Sequence, residues 1–376
     1  MLSQQLVSNA HVMVVGCGAL GNEVLKNLVL SGVKHIVIVD FDDVEMGNLT
    51  RSVLFRRSDA ETHRPKVEAI AERLLQLNPA LDLELINGDI AHDVGLGLIG
   101  QMDAVVSCVD NRWARYMINR HCMRMGKPWV DGGIDGLEGT ARVFAPGRNC
   151  YACNLGDEGR RDLQRRMSCA GVIRRQEAAG HVPTTPVIAS VIGAVEAQEC
   201  LKIVAMPRED VGMSDLPENS LCGRMFYYEG EHLTSRFMRF EAYDEDCVEH
   251  DCWEPVVKTD INIDMTVGDV IDKLQSITGH DDVTLLMRDD CFVDQISHRD
   301  NETSVCVMLP GHRVEAFVER HPQLSAFPMS KLYQHEYHRI DRSFPYSSLT
   351  LRQLGIPPHD VLHVMGKDDE FFFEIC

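Results

Sequence analysis

Short apolar runs alternate with segments of helical spacing through the first two hundred residues of the chain. Residues 11–15 and 34–40 are β-branched runs typical of strands, and residues 22–31 between them have the apolar spacing of a helix. The same patterns predict further strands at 81–87, 104–109, 128–131 and 139–144, and helices at 64–77, 112–125 and 186–204. This alternation predicts an α/β fold with a doubly wound, mostly parallel sheet that helices cover on both faces.

The pattern changes toward the C-terminal third. Residues 225–228 and 234–240 predict two hairpin strands, whereas residues from about 154 to 185 have no clear period and predict a long functional loop. Beyond Trp253 the chain predicts a strand, a helix at 267–278, a strand at 283–287 and a closing unit at 349–364. We therefore expect two domains, residues 1–254 and residues 255–376, the second a small α+β domain.

Composition narrows the possible partners. The 376 residues include 37 Lys and Arg against 57 Asp and Glu, which gives a formal net charge of −20. Such a chain repels phosphate backbones and anionic lipids, so we expect neither nucleic acid nor a membrane as a partner. The N-terminus does not have the pattern of a secretory signal, and the apolar runs are shorter than a membrane span, so we expect a cytoplasmic location.

A glycine-rich turn follows the first predicted strand. Gly16, Gly18 and Gly21 have the spacing that lets a phosphate approach the backbone at the start of a helix. Asp40 lies 19 residues beyond Gly21, at the end of the second strand, where an acid can accept ribose hydroxyls. These features fit a dinucleotide or ATP equally well, and a glycine turn that serves packing alone remains an alternative.

The segment after Asp40 favours ATP. Asp42, Asn48, Arg51 and Lys66 follow, and this density of cations and amides suits a triphosphate better than a nicotinamide.

Asp110 comes directly after an apolar strand, at the sheet edge where doubly wound folds bind ligands. A carboxylate there suits Mg²⁺ that bridges phosphates, although Asp110 could also cap the helix that begins near Arg112.

Several motifs together resemble the ThiF/MoeB/E1 superfamily, whose members adenylate the C-terminus of ubiquitin-like proteins. The motifs are GCGALG, VDFDDVEMGNLTR, RPKVEA, CVDNRWAR, DGGIDGLEGTARVF and CYAC, within residues 12–204. The resemblance implies a Rossmann-like adenylation fold and an E1-type enzyme that uses ATP and Mg²⁺. It implies that Asp40 holds the ribose, that Asn48, Arg51 and Lys66 contact the phosphates, and that Asp110 ligates Mg²⁺.

The chain departs from the superfamily pattern in two places. Many members carry a basic residue near the N-terminus that reaches an ATP site, whereas the first arginine here is Arg51. Ser52 stands where many relatives have glutamine. The residue that completes the set of cations is therefore open.

Two cysteine pairs predict a zinc site. Cys150 and Cys153 form a CxxC, and Cys247 and Cys252 form a second close pair, so two short loops offer four thiolates to one tetrahedral ion. The resemblance implies paired cysteines at both positions, but the second pair is usually separated by two residues rather than four. A neighbour such as His250 could complete the set instead.

Cys169 is the candidate nucleophile. It lies in the loop of about residues 154–185, among Arg165, Arg166, Arg174 and Arg175, and nearby cations favour the thiolate form. The resemblance implies that this cysteine of the crossover loop forms a thioester with the activated carrier. An ordinary loop thiol is the alternative.

The C-terminal phrase LTLRQLGIPPHDVLHV resembles the closing segment of ubiquitin-like β-grasp folds. In E1-type enzymes such a domain recruits an E2-like conjugating enzyme, and superfamily members generally form dimers, so the resemblance implies an E2-like partner and a homodimer. A domain used only for packing is the alternative. Three other functions stay open: a ThiF/MoeB-type sulfur-carrier adenylyltransferase, a non-catalytic E1-like scaffold subunit, and an NAD-dependent dehydrogenase.

Overall fold

A computed structural model describes residues 3–156, 159, 184–206, 216–239, 243–298 and 303–376. The chain divides into two compact units. Among the described residues, the first contains 3–91, 98–156 and most of 184–252, and the second contains 92–97 and most of 253–376. None of the helices in these ranges combines the length and the apolar character that a membrane span requires.

The described helices include five that the sequence predicted and four shorter ones that it did not. They are α1 (Gln4–Asn9), α2 (Ala19–Leu30), α3 (Arg57–Glu61), α4 (Lys66–Leu77), α5 (Leu96–Gly100), α6 (Arg112–Arg124), α7 (Pro186–Val204), α8 (Val267–Thr278) and α9 (Val314–Arg320). The strands of the first unit are β1 (His11–Val15), β2 (His35–Val39), β3 (Asp82–Ile86), β4 (Ala104–Ser107), β5 (Trp129–Asp135), β6 (Glu138–Phe144), β7 (Arg224–Glu229) and β8 (Thr234–Arg239).

These eight strands form one sheet in the order β3-β2-β1-β4-β5-β6-β7-β8. The first five strands in this order are parallel to one another, and β6, β7 and β8 continue the sheet antiparallel. Val12 of β1 lies beside both Ile36 and Ala104, so β1 occupies the centre of the parallel part. The predicted Rossmann-like, mostly parallel α/β fold is confirmed, and the carboxyl ends of β1, β2, β4 and β5 meet at one edge.

Helices α2 and α7 pack together against the sheet. The core of the first unit contains Val12, Val14, Leu25, Leu28 and Ile192, all buried. A Cβ at Gly193 of α7 would lie 2.7 Å from the Glu23 Cβ of α2, so the small residue lets the two backbones approach closely.

The second unit contains two sheets with separate cores. A five-stranded sheet has the order β14-β10-β15-β16-β9, and a three-stranded sheet has the order β12-β11-β13. The strands are β9 (Val256–Lys258), β10 (Thr284–Leu286), β11 (Phe292–His298), β12 (Ser304–Pro310), β13 (Leu332–Tyr337), β14 (Arg339–Ile340), β15 (Val361–Met365) and β16 (Glu370–Glu374).

Helix α8 contributes Val270, Ile271 and Leu274 to the core that includes Leu285 and Leu362 of the larger sheet. This arrangement is the expected α+β type. The three-stranded sheet, which shares a core with Val314 and Val318 of α9, was not foreseen from the sequence. Exposed positions alternate at the start of strand β12, but its other positions are mostly half-buried. Neither face of the strand is clearly buried, so its pattern predicts a strand only weakly.

Candidate functional site

The glycine turn joins β1 to α2. Packing requires two of its three glycines, and the third faces open space. Gly16 has a φ of +96°, and a Cβ there would lie 2.6 Å from the carbonyl oxygen of Cys108. A Cβ at Gly21 would lie 1.9 Å from the carbonyl oxygen of Gly16. Gly18 differs, because a Cβ there would meet no described atom within 4 Å. Packing therefore requires Gly16 and Gly21, whereas Gly18 leaves room at the turn.

Gly18 is also the N-cap residue of α2, and no side chain caps this helix end. The first N–H groups of a helix have no partner within the helix, and they carry partial positive charge. The open space at Gly18 and these uncapped N–H groups together make a place where a phosphate fits.

Asp40 anchors the turn from the end of β2. Its carboxylate accepts a hydrogen bond from the Cys17 backbone N–H at 2.5 Å and another from the Asp42 N–H at 2.8 Å. Burial raises the pKa of Asp40, while the positive charge of Lys66 acts against that shift. Each carboxylate oxygen has a further lone pair, so these bonds leave acceptor capacity for a ribose hydroxyl.

Asn22, which sequence reasoning missed, connects the turn to the next segment. Its side-chain amide donates to the carbonyls of Cys17 and Gly18, each at 2.9 Å, and its carbonyl accepts from the Leu54 N–H at 2.8 Å. Asn22 is completely buried. A buried amide within an otherwise apolar helix face was the available signal, because such a group requires partners.

Lys66 lies at the start of α4 and pairs with Asp42, with 2.7 Å between Nζ and the carboxylate. Burial acts to lower the pKa of Lys66, but the charges of Asp40 and Asp42 outweigh it and raise the pKa. Lys66 is therefore a buried ammonium held near the carboxyl end of β2. A triphosphate could compete with Asp42 for it, because phosphate oxygens and carboxylates accept the same charge-assisted hydrogen bonds.

Asn48 and Arg51 lie in and beside a 3₁₀ turn, Met46–Thr50. The Asn48 side-chain oxygen accepts from the Glu45 N–H at 2.9 Å, and the Arg51 guanidinium donates to the Gly47 carbonyl at 3.1 Å. Both residues thus stabilise the turn. Arg51 uses one of its five N–H donors in this contact, which leaves others for a phosphate.

Asp110 follows β4 and stands apart from these pairs. Its side chain is exposed and has no hydrogen bond or ion pair with any residue that the structure describes. The helix-cap role belongs to its neighbour: the Asn111 side chain accepts from the Ala114 N–H at 2.8 Å. Asp110 therefore keeps both carboxylate oxygens free for a ligand, and hard carboxylate oxygens suit Mg²⁺.

A second cluster combines thiols and an imidazole. Cys150, Cys153, Cys247 and His250 place one ligand atom each within 4.8 Å of all the others. The Cys150 and Cys247 sulfurs are 3.8 Å apart, those of Cys150 and Cys153 are 3.6 Å apart, and the Cys153 sulfur is 3.2 Å from Nε2 of His250. Ligands at about 2.3 Å from a tetrahedral ion stand about 3.8 Å apart, so three thiols and one imidazole fit Zn²⁺.

Cys252, which the sequence places among the ligands, is not a member of this group of four. The chain turns tightly at Val248–His250, which brings the His250 ring to the CxxC. Burial raises the pKa of the Cys150 and Cys247 thiols and lowers the pKa of His250. A neutral imidazole is the form that binds a metal.

Helix α6 supports both halves of this cluster. Glu249, between two of its members, accepts a hydrogen bond from the Tyr116 hydroxyl at 2.5 Å and lies 3.6 Å from the Arg120 guanidinium. The Asn119 side chain accepts from the Tyr151 N–H at 3.0 Å within the CxxC. These supporting residues gave no signal in the sequence because each occupies an ordinary helix position.

Cys169 lies outside the described residues, as do the four arginines around it. Cys17, Cys108, Cys122 and Cys200 are buried and belong to the core.

The sequence matches the ThiF family over residues 1–249, about two thirds of its length. The chain belongs to the ThiF family. The resemblance to the ThiF/MoeB/E1 superfamily is thereby confirmed, together with its adenylation-type fold.

Relatives and solved structures agree with this assignment. The chain is 29% identical over 235 residues to the molybdopterin-synthase adenylyltransferase of Haemophilus influenzae, covering 62% of this chain and 86% of that protein. It is 29% identical over 204 residues to the sulfur carrier protein ThiS adenylyltransferase of Escherichia coli, covering 54% and 75%. A crystal structure of E. coli MccB with ATP superposes with a TM-score of 0.50 at 22% identity, covering 65% and 68%. That structure supports the fold alone.

Proposed function

We propose that this ThiF-family chain is an adenylyltransferase that transfers AMP from ATP to the C-terminal carboxylate of a ubiquitin-like carrier protein. The unengaged carboxylate of Asp110, at the sheet edge that also holds the Gly18 turn and Lys66, is the observation that carries this proposal. The relatives are adenylyltransferases by name, and one acts on a sulfur carrier protein. An NAD-dependent dehydrogenase does not require this set of groups.

In the proposed reaction, a carboxylate oxygen of the carrier attacks the α-phosphorus of ATP. The bond from the α-phosphorus to the bridging oxygen breaks, and pyrophosphate leaves with the bond electrons. Mg²⁺ would supply charge neutralisation at the phosphates, with Asp110 as its protein ligand. Lys66, Arg51 and Asn48 would hold the phosphate oxygens, and Asp40 would orient the ribose. These residues act by position and charge, because the attacking carboxylate is already ionised.

The test is carrier-dependent exchange of labelled pyrophosphate into ATP. The wild-type protein is assayed with a panel of ubiquitin-like proteins that end in glycine, and each carrier is also tested without its last glycine. We expect Asp110→Asn to abolish exchange with any active carrier. Asp281→Asn, an exposed acid of the second unit, is the matched control and should leave exchange unchanged. Full exchange by Asp110→Asn would exclude the metal role.

A second candidate function continues from the same adenylate. The thiolate of Cys169 would attack the carbonyl carbon of the adenylate, AMP would leave, and a thioester would remain for an E2-like partner. The named relatives favour a sulfur-carrier activator over this transfer through a thioester. One observation favours the thioester transfer: the chain continues beyond residue 249 into a folded α+β unit. The superfamily resemblance associates such a unit with recruitment of an E2-like enzyme.

The same assay separates the two outcomes. If Cys169 is the nucleophile, Cys169→Ala retains pyrophosphate exchange but forms no conjugate that dithiothreitol cleaves on a gel. A conjugate that persists in Cys169→Ala would place the nucleophile elsewhere. Absence of any thioester in the wild-type protein, with exchange intact, would favour the sulfur-carrier activator. We also propose a homodimer, for which sedimentation should give twice the chain mass of 42.3 kDa.

A further inference from the structure

Arg115 connects the backbone just beyond β4 to the middle of β5. Its Nη2 donates to the Val109 carbonyl at 2.7 Å and to the Gly132 carbonyl at 2.9 Å. Its Nε donates to the Asp131 carboxylate at 2.9 Å. The Arg115 side chain is 15% exposed, and that of Asp131 is fully buried. One guanidinium thus joins three acceptors on two neighbouring chain segments.

The charge of this guanidinium is balanced inside the protein. Burial acts to lower the pKa of Arg115, but Asp131 outweighs that effect and raises it. Asp131 also accepts from Arg142 of β6 and lies 3.4 Å from the Ser107 hydroxyl. Arginine suits this place because its donors lie in a fixed plane, whereas the three donors of lysine radiate from a single nitrogen.

Asp110 depends on its backbone for its position. Its carboxylate has no hydrogen bond to a described residue, so no side-chain contact orients it. The peptide unit that joins Val109 to Asp110 is the one whose carbonyl Arg115 holds. On the other side, Asn111 fixes the chain by capping α6. The Cα of Asp110 is therefore placed by Arg115 before it and by Asn111 after it.

We propose that Arg115 is a positioning residue that sets the Asp110 carboxylate for a divalent cation by holding the Val109 carbonyl. This inference rests on the proposed function, since it concerns the metal ligand of that reaction. In this proposal Arg115 acts through the Val109 peptide unit and not by contact with the nucleotide or the cation. Displacements of about 1 Å near a reacting centre lower rates by about 100-fold, so a modest shift of this peptide unit is expected to matter.

The experiment measures cation binding without turnover. Binding of Mn²⁺, which stands in for Mg²⁺, is followed by the electron paramagnetic resonance signal of the free ion in the presence of a non-hydrolysable ATP analogue. We expect Arg115→Lys to weaken Mn²⁺ binding by about 10-fold or more, because lysine cannot hold both carbonyls. Arg142→Lys is the matched control, since it alters the same Asp131 from β6 and leaves the Arg115 bonds to Val109 and Gly132 in place.

Pyrophosphate exchange and melting temperature are also measured for the wild type and both lysine variants. Both lysine variants lower the melting temperature, and Arg115→Lys additionally raises the Mg²⁺ concentration for half-maximal exchange. If Arg115→Lys is too unstable to purify, Arg115→Gln replaces it, because glutamine has no guanidinium to donate to the Val109 and Gly132 carbonyls. Mn²⁺ affinities within twofold of the wild type in the Arg115→Lys or Arg115→Gln protein would overturn the inference.

Failure of the proposed function has a different signature. In that case wild-type and Asp110→Asn proteins bind Mn²⁺ equally, and the inference about Arg115 is overturned together with the metal role. If Asp110→Asn loses Mn²⁺ binding and Arg115→Lys does not, the proposed function stands and the positioning role alone is wrong.

Discussion

At the scale of single residues, a buried acid lies next to β5 and Cys108, close to the proposed site. Glu196 of α7 is completely buried, and a Cβ at Gly132 of β5 would lie 2.2–2.4 Å from its carboxyl atoms. The Cys108 thiol is 4.0 Å from one carboxyl oxygen, and the other oxygen has no partner among the described residues. Burial, followed by repulsion from Asp131, raises the pKa of Glu196 well above its usual value. Burial thus favours the neutral form of the Glu196 carboxyl.

Glu196→Gln tests this protonation state. A carboxyl whose pKa is raised in the folded protein stabilises the fold fully below the unfolded pKa of about 4.3, and this contribution is lost as pH rises toward the folded pKa. Glutamine does not titrate. We therefore expect the stability of Glu196→Gln relative to wild type to increase by up to about 1.4 kcal/mol per pH unit above pH 5.

Melting temperatures at pH 5, 6, 7 and 8 measure this difference. Glu218→Gln, at an exposed position, is the control and should show no trend with pH relative to the wild type. A constant difference between Glu196→Gln and wild type across this range would mean that Glu196 does not titrate as a buried acid.

The residues of the candidate site differ in how far the sequence predicted them. Asp40 and Asp110 could be proposed because each follows a predicted strand, and Lys66 because it stands in the RPKVEA motif at the start of a helix. Arg115 stands in the CVDNRWAR motif but was given no role, and Asn22 and Glu196 were missed because they occupy positions that look like ordinary interruptions of a helix. Their role depends on the group that each one faces in the folded chain, and no local pattern carries that information.

At the scale of elements, the contact of α2 with α7 fixes one face of the large sheet. The sequence predicted α7 as a helix over residues 186–204, and this helix contains small residues that permit close packing. The structure identifies Gly193 as the point of closest approach to α2, with Glu23 opposite. Backbone and Cβ atoms cannot move aside as the end of a long side chain can, so this contact sets the distance between the helices.

Gly193→Ala tests that contact against helix propensity. Alanine is favoured over glycine by about 1 kcal/mol within a helix. The added methyl group would stand 2.7 Å from the Glu23 Cβ, so overpacking of about 1–3 kcal/mol should outweigh this gain. We expect a net lower melting temperature. Ala194→Gly, at the exposed neighbouring position, reports the propensity effect alone. A higher melting temperature for Gly193→Ala would show that the helices tolerate the extra volume.

At the scale of the whole molecule, the cysteine and histidine cluster joins distant parts of the sequence. Cys150 and Cys247 are 97 residues apart, as are Cys153 and His250. A metal that bridges such segments contributes its binding free energy to folding, because the site does not exist in the unfolded chain. The expected ion is zinc, since the ligands are three thiols and one imidazole.

Metal analysis of purified protein tests this site. We expect about one zinc per chain, and we expect Cys247→Ser and His250→Ala to lose zinc and to lower the melting temperature. Cys252→Ser is the informative control, because the structure leaves Cys252 out of the group of four. Retention of zinc in Cys252→Ser with loss in His250→Ala supports the three-cysteine, one-histidine set. The opposite pattern would restore the four-cysteine set that the sequence predicts.

The sequence alone predicted most strands and helices of the first unit, the glycine turn and the residue types at the strand ends. These features are encoded within a few neighbouring residues, through periods of about two or 3.6 positions and through the φ angles that glycine permits. The tertiary structure decided that Asn111 rather than Asp110 caps α6, that His250 joins three cysteines, and that Arg115 holds the peptide before Asp110. These choices depend on distances between residues of different segments, which only packing of the whole fold sets.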